Sequence, residues 1–390
     1  MRRAGLTVLG CLVVAYLPLA ATSLWFTVLP GFPRWQVELD ERLGGHAYAW
    51  GDGSLAAVRT LAYADHRVAL LIHTSLGSLA LLLVLVQGVL RRSRAGHRWI
   101  GRAYLAAVTG SMLACVVFLL RAPHVDLPGQ TAFRLQLWLL AASTLGTAAA
   151  ARSAIRRGDV AAHRAWIGLN VCFLSTAPLL RAMWSALGAL VPQHTLLTNM
   201  EASAVTLAVV APAAGALLAL RGDARPGRAA RSPKAGTRWL LVATAAGGAA
   251  AIGLCVRTGA GPGSYPWFHV VPVLGYAAAC AVLAARRSGP DLRRRDARRL
   301  LLGAAAAPWC AVLVGLGTAR FLGPEEACRA GLLLAPGFPI VGALALVLHR
   351  RSAPSTRTVD PAVAPGRRTA PDDGSLLGHG TRSAHRQSIP

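Results

Sequence analysis

Along this chain apolar residues run for about 20 positions at a time, and short stretches rich in arginine, glycine and proline separate them. Runs of that length cross a bilayer as helices, because only a helix or a closed barrel satisfies its own backbone polar groups in lipid. They fall at about 4–29, 67–90, 99–121, 134–155, 165–190, 201–221, 239–257, 269–285, 300–320 and 328–349. The pattern predicts an all-α, polytopic transmembrane bundle of about ten spans. The first run follows the basic start of a signal peptide, MRRAG, but is longer than the roughly 7 to 15 apolar residues of such a signal. It is expected to be a retained span, with cleavage as the alternative.

Cytoplasmic loops of membrane proteins retain Lys and Arg, so alternate connections can be scored against each other. The N-terminus, 91–102, 152–164, 221–238, 286–299 and the tail from 350 together hold 31 of the 41 basic residues. The opposite connections and span edges hold nine: Arg34, Arg42, Arg59, Arg67, Arg121, Arg134, Arg257, Arg320 and Arg329. Arg181 lies within a span. The bias predicts that both termini are cytoplasmic. On the external side, loop 31–66 carries Glu38, Asp40, Glu41, Asp52 and Asp65 with Trp35, Tyr48 and Trp50, and is placed to cap the bundle. The basic Pro/Gly segment 221–238 divides a six-span domain (1–220, with a core at 66–190) from a four-span region (239–349). Residues 350–390, rich in Pro, Ser, Gly and Arg, read as a disordered cytoplasmic tail drawn to anionic lipid.

Composition agrees with the pattern. Of 390 residues 54% are hydrophobic and 15% charged, against roughly 25% charged in an average soluble domain. The net charge of +25 would suggest nucleic acid on a soluble protein. Here it sits in clusters between spans, and points instead to the anionic phospholipid headgroups of a bacterial cytoplasmic membrane. Seven cysteines (Cys11, Cys115, Cys172, Cys255, Cys280, Cys310 and Cys328) are scattered singly without a Cys-x-x-Cys spacing, and read as small core hydrophobes. No acidic residue falls in the middle of a span, Glu201 coming closest, so no carboxylate relay for a proton pump can be drawn. Gly-x-Ser-x-Gly and His-Glu-x-x-His are absent, which removes the usual hydrolase signatures.

Ionisable groups inside a span are costly enough to be functional candidates, so the faces they share matter. At about 100° per residue, one stripe of the second span carries His66, His73, Gly77, Gln87 and Arg91, with His73 about 9 Å inside the external end. His97, Gly101, Tyr104, Val108 and Cys115 share a face of the third span, beginning at the cytoplasmic surface. On the fifth span His163, Asn170, Arg181 and Trp184 align, setting a cytoplasmic His and an outer-leaflet Arg about 27 Å apart. Pro178, just before Arg181, is expected to kink that helix. His97 and His163 are each followed by Arg and, shortly after, Trp-Ile-Gly. A shared site is one explanation, and the positive-inside rule with an interfacial Trp is another. His73 and Arg181 lie at no interface and are the stronger candidates. Gln87 and Asn170 suit interhelical hydrogen bonds, and Gly77 and Gly101 suit close packing.

The stretch "HTSLGSLALLLVLVQGVLRRSRAGHRWIGRAY", then "ARSAIRRGDVAAHRAWIGLN", then the Arg of "PLLRAMW", resembles a bacterial multi-pass membrane family catalogued as domain of unknown function 2306. The likeness covers about residues 73–184. It implicates His73, Gln87, Arg91, His97, Arg98, Gly101, Arg102, Tyr104, His163, Arg164, Trp166 and Arg181. The chain departs from the family pattern at "WIGLN", where Met-Ile-Arg would follow the last Trp. The resemblance implies an architecture and no reaction.

Beside an integral membrane protein of unestablished activity, scaffold or assembly roles included, chemistry offers two specific readings. In the first, the chain is a transmembrane electron carrier holding haem b. His97 and His163 would be iron ligands on the cytoplasmic side, and His73 an outer ligand with His66 or His124. Tyr104 and Gln87 would line the cofactor, and Arg181, Arg121 or Arg134 would pair with propionates. In the second, it is a transporter or lipid-interacting protein. Arg91, Arg98, Arg102 and Arg164 would then grip an anionic headgroup or substrate, with Arg181 as an outer counterpart.

Overall fold

A computed structural model describes residues 7, 10–11, 14–20, 24–54, 56–57, 63–89, 94–121, 130–220, 236–260, 266–286 and 291–352. Arg91, His124, most of the basic linker, the tail beyond Ser352 and part of the predicted first span lie outside the described residues. Every regular element among the described residues is helical. Two short helices, α1 (Trp35–Gly44) and α2 (His46–Trp50), precede α3 (Arg67–Val89), α4 (Arg94–Arg121), α5 (Gln130–Arg156) and α6 (Val160–Leu174). Then come α7 (Thr176–Leu190), α8 (Leu196–Leu220), α9 (Thr237–Thr258), α10 (Trp267–Ala285), α11 (Asp291–Leu322), α12 (Pro324–Leu334) and α13 (Gly337–Ser352).

Among the described residues eight stretches are long and apolar enough to cross a membrane: α3, α4, α6 with α7, α8, α9, α10, α11 from Leu292, and α12 with α13. They make the chain a multi-pass membrane protein. Two predicted spans stand outside this set. Residues 14–20 are helical within a shorter apolar stretch, Val14–Thr27. The 27-residue α5 is long enough, at about 40 Å. It is rich in Ala and Thr rather than in long apolar side chains, and it buries Ala132, Phe133, Ala141, Thr144, Thr147, Ala148, Ala151 and Ala154 against other helices. A helix shielded from lipid in this way packs through small residues and does not need a strongly apolar surface.

The predicted fifth and tenth spans are each broken once. The former divides at Ser175, so the predicted line from His163 to Arg181 is interrupted. Pro178 then sits in the first turn of α7, where its missing N–H leaves no partner unsatisfied. The latter divides at Ala335 and Pro336, between α12 and α13. Asp159 caps α6, its carboxylate accepting from the Ala162 N–H at 2.9 Å. In contrast, α11 begins at Asp291, nine residues before the predicted 300, because the charged approach is itself helical and pairs Asp296 with Arg299.

Two ends of the bundle follow from these contacts. At the cap end, the Gly53 carbonyl accepts from the Leu197 N–H at 3.1 Å and the Glu326 carboxylate accepts from the Ala132 N–H at 2.6 Å. At the opposite, basic end, Arg351 donates to Asp296 at 2.9 Å and to the Ala219 carbonyl at 3.0 Å. Most of α8 is buried, and it packs against α6, α7, α10 and α13 at the centre. Gly215 permits a close approach to α6, since a Cβ there would lie 2.9 Å from the Cα of Leu169. The periphery exposes Val68, Leu113, Leu120, Val256, Leu313 and Leu346, a surface that lipid tails solvate. Trp99 and Trp239 are exposed near the basic end, and Trp35 and Trp267 near the cap end, as interfacial aromatic residues are.

Candidate functional site

At the cap end α1 lies against α7. Asp40 of α1 is 2% exposed; its carboxylate accepts from Gln36 Nε2 at 3.0 Å and from the Ser185 hydroxyl of α7. Burial pushes the Asp40 pKa up to about 6, while the two hydrogen bonds and the nearby Arg181 charge oppose the rise. Beside it the Tyr48 hydroxyl of α2 donates to the Trp184 carbonyl at 2.6 Å and accepts from Asn199 Nδ2 at 3.1 Å. Burial pushes Tyr48 up to about 12. The acidic loop thus caps the bundle by burying its own polar side chains against α7 and α8.

One turn deeper along α7, Arg181 Nη1 donates to the Tyr16 hydroxyl at 3.0 Å. The guanidinium carbon lies 5.4 Å from the Tyr16 ring centre and 5.8 Å from that of Trp184, within cation–π range of both. Among the described residues no carboxylate comes within 4.0 Å of it. Its charge favours the ionised form of Asp40. His73 itself is tied to α4: its Nδ1 lies 2.9 Å from the Ser111 carbonyl, and the Ser111 hydroxyl donates to the His73 carbonyl at 2.8 Å. Nδ1 is therefore the protonated nitrogen, and Nε2 keeps its lone pair. Gly77 leaves room for this contact, as a Cβ would lie 3.3 Å from Ser111 Oγ.

The basic end holds the other candidates in separate places. His97 is exposed and lies by α3, with Gln87 Nε2 3.5 Å from its Nε2 and 3.3 Å from its carbonyl oxygen. His163 is held by α5, its Nδ1 2.9 Å from the Ala151 carbonyl. Arg98, Arg102 and Arg164 are exposed, and Arg102 lies 5.2 Å over the exposed Trp99 ring. Tyr104 is buried in a lock of three helices. Its hydroxyl donates to Asn170 Oδ1 of α6 at 2.5 Å, and Asn170 Nδ2 donates to the Thr144 carbonyl at 2.6 Å and Thr147 Oγ1 at 2.8 Å of α5. That arrangement serves packing, as expected for Asn170, and occupies the Tyr104 hydroxyl. At the cap end Arg134 closes the end of α4 by donating to the Leu119 carbonyl, and His66 meets Phe118 edge-on at 6.0 Å.

Several groupings escaped the sequence. Cys255 and Cys328 have their sulfurs 2.6 Å apart although they are 73 residues apart. Arg329 bonds Glu325 at 2.7 Å and lies 4.0 Å from Glu201. Asp296 holds both Arg299 and Arg351. Arg329–Glu325 and Asp296–Arg299 are neighbours along one helix, whereas Cys255–Cys328, Arg329–Glu201 and Asp296–Arg351 meet only through the chain's return. Among the described residues no group of three or more His, Cys, Asp or Glu is placed to hold a metal ion. No family model, no curated protein and no solved structure matches the chain.

Proposed function

We propose that the chain is a ten-span protein of a bacterial cytoplasmic membrane, with both termini cytoplasmic, that binds an anionic group at its external end through Arg181. The observation that carries this reading is a guanidinium inside the bundle that donates to a neutral phenol and has no carboxylate in ion-pair range among the described residues. A cation at such depth is costly without a counter-charge, and a planar guanidinium takes carboxylate or phosphate through two parallel hydrogen bonds. Tyr16 and Trp184 hold its face. At the other end the exposed Arg98, Arg102 and Arg164 anchor the bundle to anionic phospholipid headgroups. Native mass spectrometry in a neutral detergent tests both claims, with phosphatidylglycerol or phosphatidylcholine added. Arg181→Gln is expected to lose one tightly held anionic lipid, and Arg98→Gln with Arg164→Gln to lose weaker, more numerous ones. Undiminished anionic-lipid binding by Arg181→Gln overturns the reading.

A haem b electron carrier, with His97 and His163 on the inner side and His73 on the outer, is the second reading. What favours it is the tautomer: His73 and His163 both spend Nδ1 on a carbonyl of a neighbouring helix, leaving Nε2 free, the arrangement by which a protein orients an iron-ligating imidazole. A reduced-minus-oxidised absorption spectrum of protein expressed with ample haem decides it. Soret and α bands that weaken in His73→Ala or His163→Ala support it, and a flat spectrum removes it.

A further inference from the structure

Cys255 lies in the last turn of α9 and Cys328 in the second turn of α12, both at the cap end. Both are nearly inaccessible, 4% and 2% exposed. Their sulfurs are 2.6 Å apart, well inside the van der Waals contact of two thiols. Among the described residues no other two cysteine sulfurs are in hydrogen-bond contact with each other, so the juxtaposition singles out these two. The elements involved have a use for a bond. α12 is only 11 residues long, half of a span that breaks at Ala335 and Pro336, and it meets α11 backbone to backbone at Gly331. α9 reaches it from a different part of the sequence. The cap end is also the side that the arginine bias places outside, where thiols meet oxidants rather than the reducing pool of the cytoplasm.

We propose that Cys255 and Cys328 form a disulfide that staples α12 to α9 at the external end of the bundle. One S–S bond forms as two S–H bonds are lost. The two electrons and two protons pass, by thiol–disulfide exchange, to a disulfide-bearing oxidase of the cell envelope, whose own disulfide becomes a dithiol. The compartment argument rests on the proposed orientation; the meeting of the two sulfurs does not.

The full chain, taken from membranes quenched in acid, is unfolded in SDS with N-ethylmaleimide, before or after reduction, and its cysteine peptides are weighed. Cys255 and Cys328 are expected to stay unmodified until reductant is added, linked as one peptide pair, while the other cysteines react at once. In Cys255→Ser, Cys328 is expected to react without reduction. Modification of both native residues in the unreduced sample overturns the pairing. Orientation is read separately from Glu38→Cys, an exposed position on α1. Its labelling in intact cells by a membrane-impermeant maleimide supports the external placement, and its protection overturns that placement.

Discussion

Asp40 shows how one buried side chain can govern the cap. Its carboxyl titrates near 6 when docked, against an ordinary 3.8, because burial penalises the charged form more than Ser185, Gln36 and Arg181 favour it. The docked state therefore holds the proton more tightly than the undocked one. Docking of α1 is fully favoured below about pH 4, weakens as the pH rises through 6, and levels off above that, with the whole swing about 3 kcal/mol. Hydrogen exchange of the amides of Trp35–Gly44, corrected for intrinsic rates, should accordingly show protection falling between pH 4 and 7. Asp40→Asn keeps an oxygen for Gln36 and Ser185 and carries no charge, so its protection should be flat across that range. A wild-type profile as flat as the variant's would mean that water reaches the carboxyl. The same residue shows a limit of sequence reading. Asp40 is one of five acidic residues in the loop expected to be external, and nothing in its neighbours marks it as the buried one, because its partner Ser185 lies on a helix 145 residues away.

Among the elements, the long apolar helices were legible because lipid forces each to satisfy its backbone alone and to face hydrocarbon, a local requirement that leaves a local signature. The exceptions are those whose surroundings are protein. α5, buried by α4, α6 and α12, lacks the hydropathy of a lipid-facing span, and the charged start of α11 is helical because Asp296 and Arg299 satisfy each other. The breaks at Ser175 and Ala335 fall near prolines, but no spacing states on which side of the proline a helix will part. Close packing was also out of reach from spacing alone. A Cβ at Gly331 would lie 2.3 Å from the Ala311 carbonyl oxygen and 3.1 Å from the Gly315 nitrogen, both backbone atoms that cannot swing aside. At Gly342, on α13, nothing lies within 4 Å. Gly331→Ala should therefore push α12 off α11 and destabilise by about 1 to 3 kcal/mol, the range typical of overpacking, whereas Gly342→Ala should be neutral or slightly stabilising. Size-exclusion profiles of detergent-solubilised protein after graded heating compare the two directly. Equal heat resistance would show that α12 has room to move.

For the whole molecule, the arginine bias set an expected orientation because loop charge is additive and needs no knowledge of packing, while the ties that close the bundle are pairings at long range. The candidate residues divide along the same line. His73 and Arg181 stood out because each is polar within an apolar run, and the structure places both near the cap end; the likeness between the His97 and His163 motifs is met by two separate neighbours, Gln87 and Ala151. The clearest long-range tie is at the basic end, where Asp296 of α11 accepts from Arg299 at 2.8 Å and from Arg351 of α13 at 2.9 Å, while Arg351 also reaches the Ala219 carbonyl of α8. The side chains are 4%, 10% and 11% exposed, so one carboxylate neutralises two guanidiniums where little water can replace it. Removing that charge leaves both cations in place. Asp296→Asn should lower stability by about 3 to 5 kcal/mol, read as a large drop in Tm in a mild detergent. If the loss comes from stranded charge rather than from a lost strap, replacing all three together (Asp296→Leu, Arg299→Met, Arg351→Met) should recover most of it, because packed apolar groups of similar volume cost no desolvation. A triple variant as unstable as Asp296→Asn would instead make the directional hydrogen bonds, and not the balance of charge, what holds α8, α11 and α13 at a common end.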